Sequence, residues 1–190
     1  MKASIFLTQK KEEVQAIIDT LEQNFSQLPL ESMNWQESPK KWSVAQCFEH
    51  LNIYCDYYFK VMKDLMDSSP KTKGGDYDCQ SSWLGRKSIE SVDPKNKKKI
   101  KTMGRFNPKL PEIRENGIQV FLEYQQKFLG LLKEAEQVNI NKIKVPIEFF
   151  KLLKLRLGDC IEFMVAHQQR HMQQALNVLT LQRTAREAKV

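Results

Sequence analysis

The chain has 190 residues and a formal net charge of +7, from 30 basic and 23 acidic side chains, and this length is enough for one domain with a sizeable core. No apolar run approaches the ~20 residues of a membrane-spanning helix, and the first residues hold too short an apolar stretch for a secretory signal. Few glycines and prolines, among long stretches rich in Leu, Glu, Lys and Gln, favour an all-helical fold. We therefore expect a single helical domain over residues 1–190, in a cytoplasmic protein with no membrane partner.

Two amphipathic helices are predicted in the first third of the chain. The first covers about residues 8–28, where apolar residues recur at three- and four-residue spacing, and Pro29 ends it. Ser43 has the properties of an N-cap, and Gln46 three residues later completes a capping box. The second helix is therefore expected to begin after Ser43 and to end at about Asp67.

A long connection is predicted between the second and third helices, over residues 69–110. Sustained helical periodicity is missing there, and Gly74, Gly75, Pro94 and Pro108 interrupt the segment. It could contain one short helix at about residues 88–92. Its lysine-rich run over 95–101 could bind phosphate groups or form a solvated loop. No recognition helix or alternating aromatic residues accompany the lysines, so we favour the solvated loop and expect no specific nucleic-acid partner.

Two further amphipathic patterns complete a predicted four-helix bundle. The third helix runs from about Pro111 to about Val138, and the fourth from about Leu157 to Gln182. Between them, the segment from Pro146 is expected to form a short helical turn or an extended piece, and no β-sheet of consequence is expected. Helices of this length can bury their apolar faces against one another as a bundle.

The cysteines do not indicate a disulfide framework, because no pair has C-x-x-C spacing and nothing marks the chain as secreted. Cys47, Cys55 and Cys160 fall within helical patterns, where a free cysteine usually serves as a small apolar core residue. Cys79 lies in a polar stretch and is expected to be the most exposed thiol. We do not expect any of them to be a catalytic nucleophile, for want of an electropositive environment.

All three histidines of the chain can be placed on one predicted metal site. His167 and His171 are four residues apart and therefore share one face of the fourth helix, and His50 lies at the edge of the apolar stripe of the second. A single core histidine is more often a packing residue. Two neutral imidazoles on a buried face would each need a partner, and two protonated ones would repel, whereas a shared cation removes both difficulties. We predict that His50, His167 and His171 bind one divalent transition metal.

The ligand set narrows the chemistry of the predicted site. Imidazole ligands suit zinc, nickel, copper or iron rather than calcium or magnesium. Three protein ligands leave one coordination position open, as in catalytic zinc sites, where water or a thiolate could bind. Gln168 stands where an H-E-x-x-H metalloprotease has its glutamate general base, which excludes that class.

Together these motifs resemble the DinB-like superfamily of metal-binding four-helix bundles. The resemblance lies in Trp42-Ser43 before a helix, in Glu49-His50-Leu51 within it, in Arg105-Phe106-Asn107-Pro108 before the third helix, and in His167-x-x-Arg170-His171-x-x-Gln174 on the last. It implies a site for zinc or nickel, open to water, with His50, His167 and His171 as the ligands. It also implies a homodimer.

The resemblance leaves two classes of function open. Characterised relatives include bacillithiol S-transferases and mycothiol-dependent isomerases. These imply an enzyme acting on a small-molecule substrate, either a transferase with a low-molecular-weight thiol as cosubstrate or a hydrolase. The alternative is a non-catalytic metal-binding or stress-related interaction protein, whose site would be closed or dry. Tyr54, one turn after His50, could line a substrate pocket or simply pack in the core.

Overall fold

The structure, a computed structural model, describes residues 1–72, 76–96, 98, 102, 106–108 and 116–188. Within these residues the chain is mostly helical, as its composition predicts, with six helices and one antiparallel pair of strands. In chain order the elements are α1 (Ala3–Phe25), α2 (Leu30–Asn34), α3 (Val44–Asp67), α4 (Trp83–Val92), α5 (Gly117–Ala135), β1 (Lys144–Ile147), β2 (Phe150–Arg156) and α6 (Leu157–Glu187).

The four long helices α1, α3, α5 and α6 enclose the core, and α1 and α3 each contact both α5 and α6. Aromatic side chains join them: the ring of Phe48 on α3 lies 5.1 Å from that of Phe25 on α1 and 5.3 Å from that of Phe121 on α5. The side-by-side packing of α3 and α6 matters most for function, because these two helices carry the three histidines. None of the helices in the described ranges is long and apolar enough to cross a bilayer.

The helix boundaries agree with the sequence where a cap is encoded and differ where it is not. The capping box of Ser43 and Gln46 is present, and α3 begins and ends as predicted. In contrast α1 begins at Ala3 rather than near residue 8, because Asp76 and Tyr77 accept hydrogen bonds from its first turn. The Ala3 N–H donates to the Tyr77 carbonyl and the Ser4 N–H to Asp76 Oδ1. The helix then ends at Phe25, before the turn that leads to Pro29.

The predicted connection after α3 holds a longer helix than the sequence indicated. α4 begins at Trp83, not near residue 88, because the Ser82 hydroxyl caps it by accepting from the Gly85 N–H at 2.9 Å. The same hydroxyl donates to Asp159 Oδ2 on α6 at 2.7 Å, so the cap also docks α4 against α6. Of the lysine-rich run, the structure describes residues 95, 96 and 98; the other positions of 95–101 lie outside the described residues.

The end of the chain departs from a purely helical prediction in one place. The segment around Pro146 forms a hairpin in which β1 pairs with β2, because Val145, Ile147 and Leu155 can be buried from extended backbone. The third helix ends at Ala135, three residues earlier than expected, and its predicted start at Pro111 lies outside the described residues. The last helix begins at Leu157, as predicted, and continues beyond Gln182 to Glu187.

Candidate metal centre

The three histidines that the sequence singled out meet between α3 and α6. His50 projects from α3, and His167 and His171 project from α6, with one ring nitrogen of each within 4.8 Å of the others. The distances between ring centroids are 5.1 Å for His50 and His167, 4.6 Å for His50 and His171, and 4.7 Å for His167 and His171. The i, i+4 spacing on α6 and the packing of α3 against it thus produce a compact triangle of imidazoles.

Hydrogen bonds at Nδ1 leave the Nε2 atoms of His50 and His171 able to bind a metal ion. His50 Nδ1 donates to the Phe106 carbonyl at 2.7 Å, and His171 Nδ1 donates to Gln174 Oε1 at 3.0 Å. In a neutral imidazole the other nitrogen then carries a lone pair. His50 Nε2 lies 3.2 Å from His167 Nε2, close to the roughly 3.3 Å between two nitrogens that share a tetrahedral zinc at about 2.0–2.1 Å. His167 Nδ1 has no hydrogen-bond partner among the described residues.

Burial keeps all three imidazoles neutral. Desolvation lowers the pKa of His50 to about 4, against the opposing effect of its hydrogen bond to Phe106. Desolvation, followed by the charge of His50, lowers the pKa of His171 to about 3. The pKa of His167 is held well below its usual range by desolvation and by the neighbouring histidines. Neutral imidazole is the form that binds a metal ion, so the site is ready for one at physiological pH.

Aromatic side chains surround the cluster. Tyr54 lies 4.9 Å from the ring of His50 and 4.5 Å from that of His167, Phe163 stacks on His167 at 5.6 Å, and Trp42 stacks on His171 at 5.6 Å. Tyr54 is therefore part of the wall of the site, and its burial raises the phenol pKa to about 12, so the hydroxyl stays protonated. His50 and His167 are buried, whereas His171 is partly exposed and marks the side of the cluster that solvent can reach.

The chemistry of the other nearby side chains limits what the site can do. Within the described ranges no cysteine or carboxylate joins the three histidines. Gln168 is fully buried and donates to Cys55 Sγ at 3.4 Å, so it faces the core and not the cluster. The thiols of Cys47, Cys55 and Cys160 are buried in the core as predicted, and desolvation raises their pKa, which makes them poor nucleophiles. Cys79, as predicted, is the most exposed of the four.

Arg170 makes hydrogen bonds to the backbone in and just before the lysine-rich run, which the sequence did not predict. Its guanidinium donates to the carbonyl oxygens of Asp93 at 3.0 Å, Asn96 at 2.7 Å and Lys98 at 2.9 Å. Arg170 lies between His167 and His171 on α6, and residues 93, 96 and 98 are therefore held against the helix that carries two of the histidines. Lys95 and Lys98 are exposed, and the choice between a solvated loop and a phosphate-binding one stays a prediction.

The comparison with protein families identifies the fold around this site. The family model of the DinB superfamily matches residues 13–175, a range that includes all three histidines and most of the chain. The chain belongs to the DinB superfamily. No curated protein and no solved structure matches it.

Membership in the DinB superfamily agrees with the geometry of the donor set. Three neutral imidazoles from two helices, with two Nε2 lone pairs made available by hydrogen bonds at Nδ1, are suited to a divalent transition metal. Sequence reasoning found the histidines but assigned no role to Gln174, Phe163 or the Phe106 carbonyl. Helical spacing could have indicated the first two, at i+3 from His171 and i−4 from His167. A backbone carbonyl from a distant segment has no such signal.

Proposed function

We propose that this DinB superfamily chain forms one four-helix-bundle domain that binds a divalent transition metal, zinc or nickel, through His50, His167 and His171. The observation that supports this proposal is the meeting of three neutral imidazoles, two of them buried and one partly exposed, in one compact triangle. His50 Nε2 and His167 Nε2 lie 3.2 Å apart, a separation that fits two nitrogens bound to one ion. A shared metal ion accounts for the arrangement.

We further propose that the site is catalytic, as a transferase that uses a low-molecular-weight thiol or as a hydrolase. A bound metal would supply Lewis acidity, which lowers the pKa of a thiol or water. The chain would supply His50 and His171, oriented by Phe106 and Gln174, and an apolar enclosure that strengthens electrostatic effects. Partial exposure of His171, and three histidines with no carboxylate or thiol beside them in the described ranges, favour a coordination position open to a small molecule.

A non-catalytic metal-binding protein is the second candidate, and one observation favours it. A cavity of about 410 Å³ lies between α1, α4 and the start of α6, and none of the three histidines lines it. A substrate of the metal site would instead approach along the side of the partly exposed His171. If that approach stays closed, the site stabilises the fold or senses metal without turnover.

Thiol conjugation separates the two candidates. Protein loaded with zinc or nickel is mixed with bacillithiol, or another small thiol, and monochlorobimane as the electrophile. Acceleration by the wild type and by Cys79→Ser, but not by His50→Ala, would support a transferase and exclude a contribution from the half-exposed thiol of the protein itself. Equal rates for wild type and His50→Ala with every thiol would remove the transferase proposal and leave hydrolysis or metal binding alone.

Two properties remain predictions: the homodimer that the resemblance implies, and the cytoplasmic location expected from the hydropathy of the sequence. Sedimentation velocity over a range of protein concentrations tests the first. A homodimer would sediment with twice the 22.3 kDa mass of the chain, and a monomer with that mass alone. A fluorescent fusion in the native cell tests the second.

A further inference from the structure

The hairpin carries an exposed apolar tip. All six residues from 149 to 154 are exposed, and four of them are large apolar side chains: Phe149 is 39% exposed, Phe150 58%, Leu152 97% and Leu153 45%. Contiguous apolar exposure of this kind usually marks an interaction surface, because water contact at large apolar side chains is unfavourable. The tip therefore requires an explanation other than packing.

The base of the hairpin holds the tip in place. Val145, Ile147 and Leu155 are buried in the core, and β1 contacts both α3 and α6. The Phe149 ring lies 6.2 Å from that of the buried Phe106, and the Glu148 N–H donates to the Tyr58 hydroxyl at 3.4 Å. The tip is thus held against the fold at its base, and its residues 151–153 lie where the pairing of β1 with β2 is irregular.

The exposed charged side chains on and beside the hairpin, between residues 142 and 154, are all basic. The side chains of Lys142, Lys144, Lys151 and Lys154 are exposed on or beside the hairpin. Glu148, only 3% exposed, is the one acidic residue between positions 142 and 156. Two copies of the chain that met tip to tip would bring these lysines together, and the like charges would oppose association. A negatively charged partner, in contrast, would be attracted to every one of them.

We propose that this hairpin tip docks on the surface of an anionic lipid bilayer. The tip projects outward, so it fits a deformable apolar layer better than the rigid surface of another protein. Phenylalanine and leucine side chains would enter the boundary between headgroups and acyl chains, while the flanking lysines would remain at the level of the anionic headgroups. The hydropathy of the sequence argues against a spanning segment and led to the expectation of no membrane partner, but a short projecting tip needs no such segment.

Vesicle sedimentation tests this proposal. The full chain is mixed with vesicles of equal parts phosphatidylglycerol and phosphatidylcholine, and with vesicles of phosphatidylcholine alone. We expect binding to the anionic vesicles that weakens as salt is added. The affinity of the double variant Phe150→Ser, Leu152→Ser for these vesicles should fall by roughly tenfold or more. The double variant Lys151→Gln, Lys154→Gln should lose most of the preference for the anionic lipid.

Matched controls keep the outcome clear. Leu181→Ser removes an exposed apolar residue of α6, and Lys40→Gln, Lys60→Gln removes two exposed lysines elsewhere; both variants should bind vesicles as the wild type does. Circular dichroism and metal content confirm that each variant is folded, and neither readout depends on catalysis. The proposal is overturned if the wild type does not sediment with anionic vesicles, or if the tip variant binds as well as Leu181→Ser. It is also overturned if the tip variant abolishes self-association or binding to polyglutamate while vesicle binding is absent.

Discussion

The orientation of each imidazole is as important at the residue scale as its position in the helix. His50 is oriented by the backbone carbonyl of Phe106, whereas His171 is oriented by the side chain of Gln174 one turn later. The places of all three histidines on or at the edge of the apolar helix faces could be predicted from the sequence, because helical spacing and burial patterns are local properties. The sequence could not predict the Phe106 carbonyl, because that contact depends on where a distant segment returns to the bundle.

The first prediction concerns the hydrogen bond at His171. Gln174→Leu should weaken zinc binding by about 10- to 100-fold, because the imidazole would lose the acceptor that fixes its tautomer and ring position. Gln173→Leu is the matched control, since Gln173 is exposed and bonds Asn177 instead of a histidine. Competition with a chromophoric chelator measures both affinities. Equal affinities for the two variants would show that Gln174 does not act on the site.

The second prediction concerns the pH dependence of the metal-free protein. The pKa of His50 falls to about 4 and that of His171 to about 3 in the folded chain, whereas in the unfolded chain both are near 6.5. Between these values the unfolded state binds more protons, so the stability present above about pH 6.5 is lost as the pH falls. Each histidine contributes a slope of about 1.4 kcal/mol per pH unit.

Urea unfolding of chelator-treated protein between about pH 6.5 and pH 5, above the range of most carboxyl groups, measures this slope. His171→Gln should reduce the slope of the unfolding free energy against pH by about 1.4 kcal/mol per pH unit, the contribution of one histidine. A free energy of unfolding that does not change over this interval would contradict the burial of the neutral rings.

At the scale of the elements, the most predictable feature was the start of a helix whose capping residues lie within its own first turn. The capping box at Ser43 fixed the start of α3, since its two hydrogen bonds are made within four residues. The early start of α1 was not predictable, because Asp76 and Tyr77, far away in the chain, supply the acceptors for its first turn. The same holds for α4, whose cap at Ser82 is completed by Asp159 from α6.

The docking of α4 on α6 gives the third prediction. A Cβ added at Gly85 would lie 2.1 Å from Asp159 Cγ, so Gly85→Ala should destabilise the protein by about 1–3 kcal/mol through overpacking. Gly130→Ala on α5 is the control, because nothing lies within 4 Å of its added Cβ, and it should stabilise by roughly 0.5–1 kcal/mol through helix propensity. Thermal unfolding compares the two. If both variants gain stability, α4 is not packed as described.

The whole molecule shows which parts of a fold can be predicted from composition and pattern. The mostly helical architecture followed from few glycines and long amphipathic stretches, and the match to the DinB superfamily agrees with the motifs around the histidines. The hairpin was not predicted as a sheet, since its short apolar run is compatible with helix or strand, and only the packing of β1 on α3 and α6 decides between them.

The packing of α3 against α6 brings three histidines together, and we propose that they bind one metal ion. The most direct test of this claim is the metal content of purified protein, measured by mass spectrometry after loading with zinc or nickel and dialysis. We predict one ion per chain for the wild type and for Gln173→Leu, and none for His167→Ala, with a melting temperature of the wild type that falls on chelation. Equal metal content in the wild type and His167→Ala would contradict the claim.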